Sequence, residues 1–294
     1  MQQLSQAAMC DTSSRTSRQT VGINSTRNTM NPNATTDIPQ ALIIALQQAK
    51  HVVVFTGAGV SAESGIATFR DALTGLWKRF NAEDLATPDA FHRDEELVWG
   101  WYECRRMQVL RAQPNPAHVA IAVLAQLVPK LTVVTQNVDD LHERAGSVGV
   151  LHLHGSLHSP RCNDCSQAHS LPPGIPAEPE GGRRLRPPRC LLCGGSVRPG
   201  VVWFGEELPV KKLGQAFSAA SECDVLFAIG TSGLVQPAAG IPLLASQAGA
   251  KVVQVNPIGT QLDDACTWSL RGAAGEVLPK LLQAAFPVAD VAEP

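Results

Sequence analysis

The chain has 294 residues, 44% of them hydrophobic, enough to bury a substantial core as one large domain or a domain with an inserted module. Its formal charge of −2, from 24 Lys and Arg against 26 Asp and Glu, provides no basic footprint for nucleic acid or an anionic membrane. No apolar run approaches the roughly eighteen residues that cross a bilayer, and the N-terminus lacks the apolar core of a signal peptide, so the chain is expected in the cytoplasm.

Residues 1–38 are rich in Ser, Thr, Asn and Gln and are expected to form a disordered tail. Arg15, Arg18 and Arg27 keep open a mitochondrial transit peptide as the alternative. From residue 40 the pattern changes. Ala41–Leu46 reads as a short helix and His51–Phe55 as a buried strand that runs into Gly57-Ala-Gly-Val-Ser-Ala62. This matches G-x-G-x-x-G/A, in which glycines let the backbone approach a pyrophosphate at a helix start; an ordinary tight turn would use the same glycines for φ alone. No second apolar strand ending in an acid follows, as an ordinary dehydrogenase would need. A polar and aromatic loop, Ile66 to Trp77, comes instead. Trp99-Gly-Trp-Tyr-Glu-Cys-Arg-Arg-Met107 then carries the chain's single tyrosine, Tyr102, three positions before Arg105. On a helix the two share a face and could grip one small acidic group, or be ordinary surface.

A helix is predicted over 117–127 and a strand over 131–135, followed by Asn137 and Asp139, which could hold a sugar hydroxyl or a water, or cap a helix. A strand over 148–153 would put His152 and His154 on one face, as a general base or as hydrogen-bonded core residues. Residues 160–200 form an insertion rich in proline. Its Cys162-x-x-Cys165 and Cys190-x-x-Cys193 pairs supply four thiolates for tetrahedral zinc, closed to substrate and therefore structural. Arg183, Arg184, Arg186 and Arg189 leave open a nucleic-acid-binding ribbon there. Val201-Val-Trp-Phe-Gly205 is extended and apolar, either a core strand or an edge for strand addition by a peptide. Strands over 225–229 and 251–255 flank a helix over 241–248. Runs apolar on both faces, alternating with helices, specify an α/β fold: a Rossmann-like parallel sheet with helices on both faces, plus the inserted zinc-binding module. Ligands of such sheets bind at the carboxyl ends of strands. Gly57, Gln136-Asn137, Gly230-Thr-Ser232 and Asn256-Pro257 all fall there.

Together, Gly57-Ala-Gly-Val-Ser-Ala-Glu-Ser-Gly-Ile66, Thr68-Phe-Arg70, Thr135-Gln-Asn-Val-Asp139, Leu151-His-Leu-His-Gly-Ser156, the two Cys pairs, Val202-Trp-Phe-Gly-Glu206 and Gly230-Thr-Ser232 closely resemble the sirtuin family, in order, from about residue 40 to about 285. The resemblance implies an NAD-dependent protein-lysine deacylase. Its catalytic domain would span 39–286, with the zinc module at about 157–201 and a C-terminal tail over 287–294. NAD would be consumed rather than reduced, the acyl group passing to ADP-ribose as nicotinamide leaves. The resemblance makes His154 the general base and gives Asn137 and Asp139 the nicotinamide-ribose end. Phe69, Arg70 and Trp77 would belong to the cofactor loop, while Gly57, Ala58, Gly59, Ser61, Ala62, Gln136, Gly230, Thr231, Ser232, Asn256, Pro257 and Ala274 would contact the rest of NAD. Val202, Trp203, Phe204 and Gly205 would line the acyl-lysine channel and pair with the peptide.

The chain is also similar to the class III branch, which carries Tyr-x-x-Arg and an alanine, here Tyr102, Arg105 and Ala86. That branch prefers lysines bearing succinyl, malonyl or glutaryl groups, and a guanidinium fork with a phenol suits a carboxylate. One departure is Leu270-Arg-Gly-Ala-Ala274, with alanine where some relatives have cysteine; the contact there is expected from backbone. The expected partners are acylated lysines of proteins, with no nucleic acid or membrane, and the chain is expected to be a monomer. The alternatives are a general deacetylase, a mono-ADP-ribosyltransferase and, outside enzymes, a zinc-ribbon binding module.

Overall fold

The computed structural model describes residues 37–68, 80–172 and 182–287. Phe69, Arg70 and Trp77 lie outside these residues, as do residues 1–36 and 288–294 of the predicted tails. In chain order the elements are α1 (Gln40–Gln48), β1 (Val52–Thr56), α2 (Ala82–Leu85), α3 (Pro88–Arg93), α4 (Glu95–Arg111), α5 (Pro116–Leu127), β2 (Leu131–Thr135), α6 (Leu141–Arg144), β3 (Leu151–His152), β4 (Gly155–Cys162), β5 (Val197–Val201), α7 (Val210–Glu222), β6 (Val225–Ile229), α8 (Ile241–Gln247), β7 (Lys251–Val255), β8 (Trp268–Leu270) and α9 (Ala274–Ala285).

Six strands form one sheet in the order β3-β2-β1-β6-β7-β8, every neighbouring pair parallel. The strands are apolar without alternation because both faces are covered. Val52 and Val54 pack with α1, α5 and α9, whereas Val53 and Phe55, one residue out of phase, pack with α7 and α8. From β1 the chain moves to β2 and β3 on one side, and β6 then pairs with β1 on the other. That reversal opens a crevice outside the carboxyl ends of β1 and β6.

A third cluster sits beyond this crevice. The largely buried α4 packs Trp101 and Tyr102 with Phe91 of α3, Leu157 of β4, Val201 of β5 and Trp203. Thr87 caps α3 and Asp94 caps α4 through bonds of 3.1 Å to the amides of Ala90 and Leu97. Antiparallel β4 and β5 pair Gly155 with Val201 and Cys162 with Val197, which brings the two cysteine knuckles to one end of a ribbon. No helix among the described residues is long and apolar enough to cross a membrane.

Three local expectations change. The predicted strand over 148–153 contracts to Leu151–His152, because Gly149 takes a left-handed φ of 67° and Val148 is 88% exposed. The turn after β1 enters a 3-10 segment, Ala58–Ser64, rather than an α-helix, and ends at Gly65 with φ 79°. The segment after β5 does not continue as a strand, and its amides bond elsewhere, as described below.

Candidate active site

The crevice is a cleft of about 1240 Å³, large enough for a sizeable ligand pair. One wall is built from the strand ends: Gly57, Ala58, Gly59 and Ser61 after β1, Gln136, Asn137 and Asp139 after β2, Gly230, Thr231 and Ser232 after β6, and Asn256 after β7. The glycines permit a close approach between the first and third of these turns. The Gly57 and Gly59 amides donate to Ile229 O and Gly230 O at 3.0 and 2.8 Å, and a Cβ on Gly59 would stand 2.7 Å from Gly230 Cα. The opposite wall carries Ala86, Tyr102, Arg105 and Val202 to Gly205, with His154 also lining the cleft.

Three predicted contacts fall outside this lining. Ala62 follows Ser61 by one residue of a 3-10 turn and is exposed, Pro257 is exposed just beyond Asn256, and Ala274 is buried in the core at the start of α9. At that last position the neighbouring amide is also taken, since Gly275 N donates to Glu63 Oε1 at 2.9 Å.

The polar groups under the cleft form one network. Ser61 Oγ donates to Asp139 Oδ2 and accepts from Asn137 Nδ2, both at 3.0 Å. Asp139 Oδ1 accepts the Leu141 amide at 3.2 Å, so the same carboxylate is also tied to the first residue of α6. Burial pushes the Asp139 pKa up, opposed by its hydrogen bonds from Leu141 and Ser61. His154 Nδ1 lies 3.0 Å from Gln136 O, and a carbonyl can only accept, so Nδ1 carries the proton and Nε2 keeps a free lone pair. Burial pulls the His154 pKa below its ordinary value, which keeps the ring neutral and able to take a proton.

His152 does not share that face. It is buried, with Nδ1 on Asn137 O at 3.0 Å and Nε2 on Glu143 Oε1 at 2.7 Å. Its burial would lower the pKa, but the Glu143 carboxylate outweighs this and raises it. The strand ends between the two histidines, so only His154 reaches the cleft.

Beneath the network lie two histidines that the sequence reading passed over. His118 is fully buried, 3.5 Å from Ser61 Oγ through Nε2 and accepting the Asn115 amide on Nδ1 at 3.3 Å. His142 touches it edge-on at 5.0 Å between ring centroids and bonds Thr56 Oγ1 at 3.0 Å. Burial drives their pKa values down, to about 4 and about 3. The readable signal for His118 was Asn115-Pro116, an N-cap followed by proline at the first helical position, with histidine closing a capping box at the third.

At the far wall, Trp203 Nε1 donates to the Tyr102 hydroxyl oxygen at 3.1 Å. Burial pushes the Tyr102 pKa well above its ordinary value, so the phenol is protonated. Arg105 passes over the Trp101 ring at 5.4 Å, while its neighbour Arg106 is turned away into a buried fork on Glu103 with bonds of 2.7 and 2.9 Å. Only one of the two adjacent arginines thus lines the cleft. The amides of Val202, Trp203 and Phe204 donate to His154 O, Glu206 Oε2 and Ala86 O at 2.8, 2.8 and 2.9 Å. These three N–H groups are not a free edge, so any peptide pairing along this segment must use its carbonyl oxygens.

The four cysteines of the ribbon lie with their ligand atoms within 4.8 Å of one another, neighbouring sulfurs being 3.4 to 3.7 Å apart. A tetrahedral ion with Zn–S bonds of about 2.3 Å would hold sulfurs about 3.8 Å apart. The set therefore fits a structural zinc with no position left for substrate. Three arginines of the insertion reach the start of α4: Arg184 pairs with Asp94 at 2.6 Å, Arg189 with Glu95 at 2.8 Å and Arg186 with Glu96 at 3.8 Å. Each exposed pair contributes about 0–1 kcal/mol. Together they dock the ribbon on the acidic first turn of α4.

The model of the Sir2 family matches residues 57–237. The chain is 62% identical over 243 residues to the NAD-dependent protein deacylase of Methylococcus capsulatus, covering 83% of this chain and 95% of that protein. It is 60% identical over 250 residues to NAD-dependent protein deacylase 1 of Pseudomonas aeruginosa, covering 84% and 99%. Among solved structures, a Sir2 homolog–NAD complex superposes with a TM-score of 0.77 at 46% identity, over 85% of this chain and 94% of that one. A Sir2-p53 peptide-NAD+ complex does so with a TM-score of 0.71 at 30% identity, over 83% and 97%.

Zinc binding is part of the folding free energy of such a ribbon. Chelation, or Cys162→Ser, is expected to release one equivalent of zinc and lower the melting temperature, measured by metal analysis and calorimetry; a zinc-free chain with unchanged melting contradicts this. The buried histidines set a pH dependence. Unfolded imidazoles titrate near 6.5, so between about pH 6.5 and 4 the unfolded state binds more protons than the folded state, and stability falls as pH falls through that window. His118 should cost about 2 kcal/mol at pH 5 relative to pH 7.5. Urea unfolding at the two pH values should show His118→Asn losing part of the wild-type difference, and an equal difference in both proteins would refute the assignment.

Proposed function

Because the chain belongs to the Sir2 family, we propose that it is an NAD-dependent protein-lysine deacylase whose cleft selects acyl groups ending in a carboxylate: succinyl, malonyl and glutaryl. The deacylase activity is supported by relatives of that name matched over nearly their whole length. The acyl preference is supported by one observation: Ala86, Tyr102 and Arg105 line the same cleft as His154 and the glycine turn.

The residues fit NAD. Glycine turns face each other across the topological switch point, and Gln136 Nε2 and Asn256 Nδ2 converge on Thr231 at 2.9 and 3.0 Å, which fixes the turn after β6. NAD, when bound, supplies a ribose whose bond to nicotinamide is exchanged for a bond to the acyl group. Gly57 to Ser61 and Gly230 to Ser232 would hold its phosphates and adenine end, and Asn137 and Asp139, tied together by Ser61, the nicotinamide-ribose end. Phe69, Arg70 and Trp77 are proposed for the loop that covers it. His154 would accept a ribose hydroxyl proton on Nε2, since its other nitrogen is bound to Gln136 O. Val202 to Gly205 would line the path of the lysine stem.

At the end of that path stand two donors. Arg105 stays cationic even where burial lowers its pKa, because a guanidinium starts so high. Tyr102 remains a protonated phenol. Ala86, buried at 4% exposure, leaves the length that a four- or five-carbon acyl chain needs. A hydrogen bond to a charged group contributes about 1.5–3 kcal/mol, which converts to about ten- to a hundredfold in selectivity.

The test is kcat/KM for matched succinyl-lysine and acetyl-lysine peptides with NAD. The wild-type protein should prefer succinyl, and Arg105→Met should lower the succinyl-to-acetyl ratio by about ten- to a hundredfold. A preference for acetyl that Arg105→Met leaves in place would sink the reading.

A further inference from the structure

Tyr102 has one oxygen, which can both give and take a hydrogen bond. The indole N–H of Trp203 is already donating to it at 3.1 Å, and both side chains are buried, at 5% and 2% exposure. Among the described residues no acceptor is in reach of the phenol's own hydrogen. Arg105 beside it has only donors.

Trp203 is not free to turn aside. The Arg198 guanidinium lies flat against its ring at 3.4 Å from the centroid and forks onto Glu206 at 2.5 and 2.8 Å. Glu206 in turn accepts the Trp203 amide at 2.8 Å, and the Phe91 ring packs at 5.3 Å. The backbone and the ring of Trp203 are thus held by the same ion pair. The clamp that holds them comes from β5 and the turn after it, outside the cleft lining for Arg198.

We infer that Trp203 is a positioning residue that makes Tyr102 a donor only, so that the acyl end of the cleft takes an ionised carboxylate and rejects a group of equal shape that carries its own N–H. This inference rests on the reading of the cleft as a site for dicarboxylic acyl-lysine. A carboxamide in place of the carboxylate would set a donor against Tyr102 and Arg105, both of which offer hydrogens. Without the indole N–H, the phenol oxygen regains an acceptor site and can turn its hydrogen away, so the amide fits better.

The experiment compares a succinyl-lysine peptide with the same peptide bearing a terminal carboxamide, in wild-type protein, Trp203→Phe, Tyr102→Phe and the double variant. Both substrates are measured on one preparation, so any loss of folded protein cancels in the acid-to-amide ratio of kcat/KM. The expected result is a wild-type ratio well above one, lowered about tenfold by Trp203→Phe, and no further change from Trp203→Phe once Tyr102 is phenylalanine. A Trp203→Phe ratio equal to wild type, a Tyr102→Phe ratio equal to wild type, or additive effects in the double variant overturns the inference while the succinyl preference stands. A wild-type protein with no preference for succinyl over acetyl overturns both.

Discussion

The close approach of two glycine turns governs the architecture. The Gly57 and Gly59 amides bond the end of β6, and a side chain on Gly59 would drive its Cβ to 2.7 Å from Gly230 Cα. That contact locks β1 to β6 at the point where the strand order reverses, and the backbone there is left without side chains to fill the crevice. The remaining strand ends then deliver their groups to the same place: Gln136 to Asp139 from β2 and Asn256 from β7. Had either turn needed a larger residue, the turns would stand apart and the network under them would lose its frame.

The second wall depends on a different set of forces. The helix α4 is pinned at its N-terminus by ion pairs from the zinc ribbon and packed along its length against β4, β5 and Trp203. The ribbon therefore acts on the cleft without lining it with its cysteines. By seating α4 and β5 it sets where Tyr102 and Arg105 stand relative to His154. The four-cysteine set and the Tyr102–Arg105 pair are linked through one helix, consistent with the ribbon and the nucleotide fold forming a single unit.

Much of this was legible in the sequence where the determinant is local. Both-face apolar runs such as Val52–Thr56 revealed the parallel sheet, Cys-x-x-Cys spacing revealed the metal set, and a three-residue step on a helix put Tyr102 and Arg105 on one face. The failures arise where tertiary geometry decides. The strand expected over 148–153 starts late, after Gly149, and ends at His152, so His152 and His154 part company. The three-residue β8 is too short to announce itself by pattern. Ala62 and Pro257 each sit one step from a residue that lines the cleft, a single-residue direction that a motif does not resolve, and Ala274 is buried in the core at the start of α9. The Trp203–Tyr102 bond joins residues 101 positions apart, and the arginines of the insertion meet acids more than 85 positions earlier in the chain, so no local rule exposes either.

The central claim is that one cleft joins consumption of NAD to removal of a dicarboxylic acyl group. It is tested most directly by mass analysis of the products formed from NAD and a succinyl-lysine peptide. Nicotinamide, free lysine peptide and succinyl-ADP-ribose should appear in equal amounts, and His154→Ala should suppress all three. Formation of NADH, or ADP-ribose attached to protein with the succinyl group still on lysine, would contradict it.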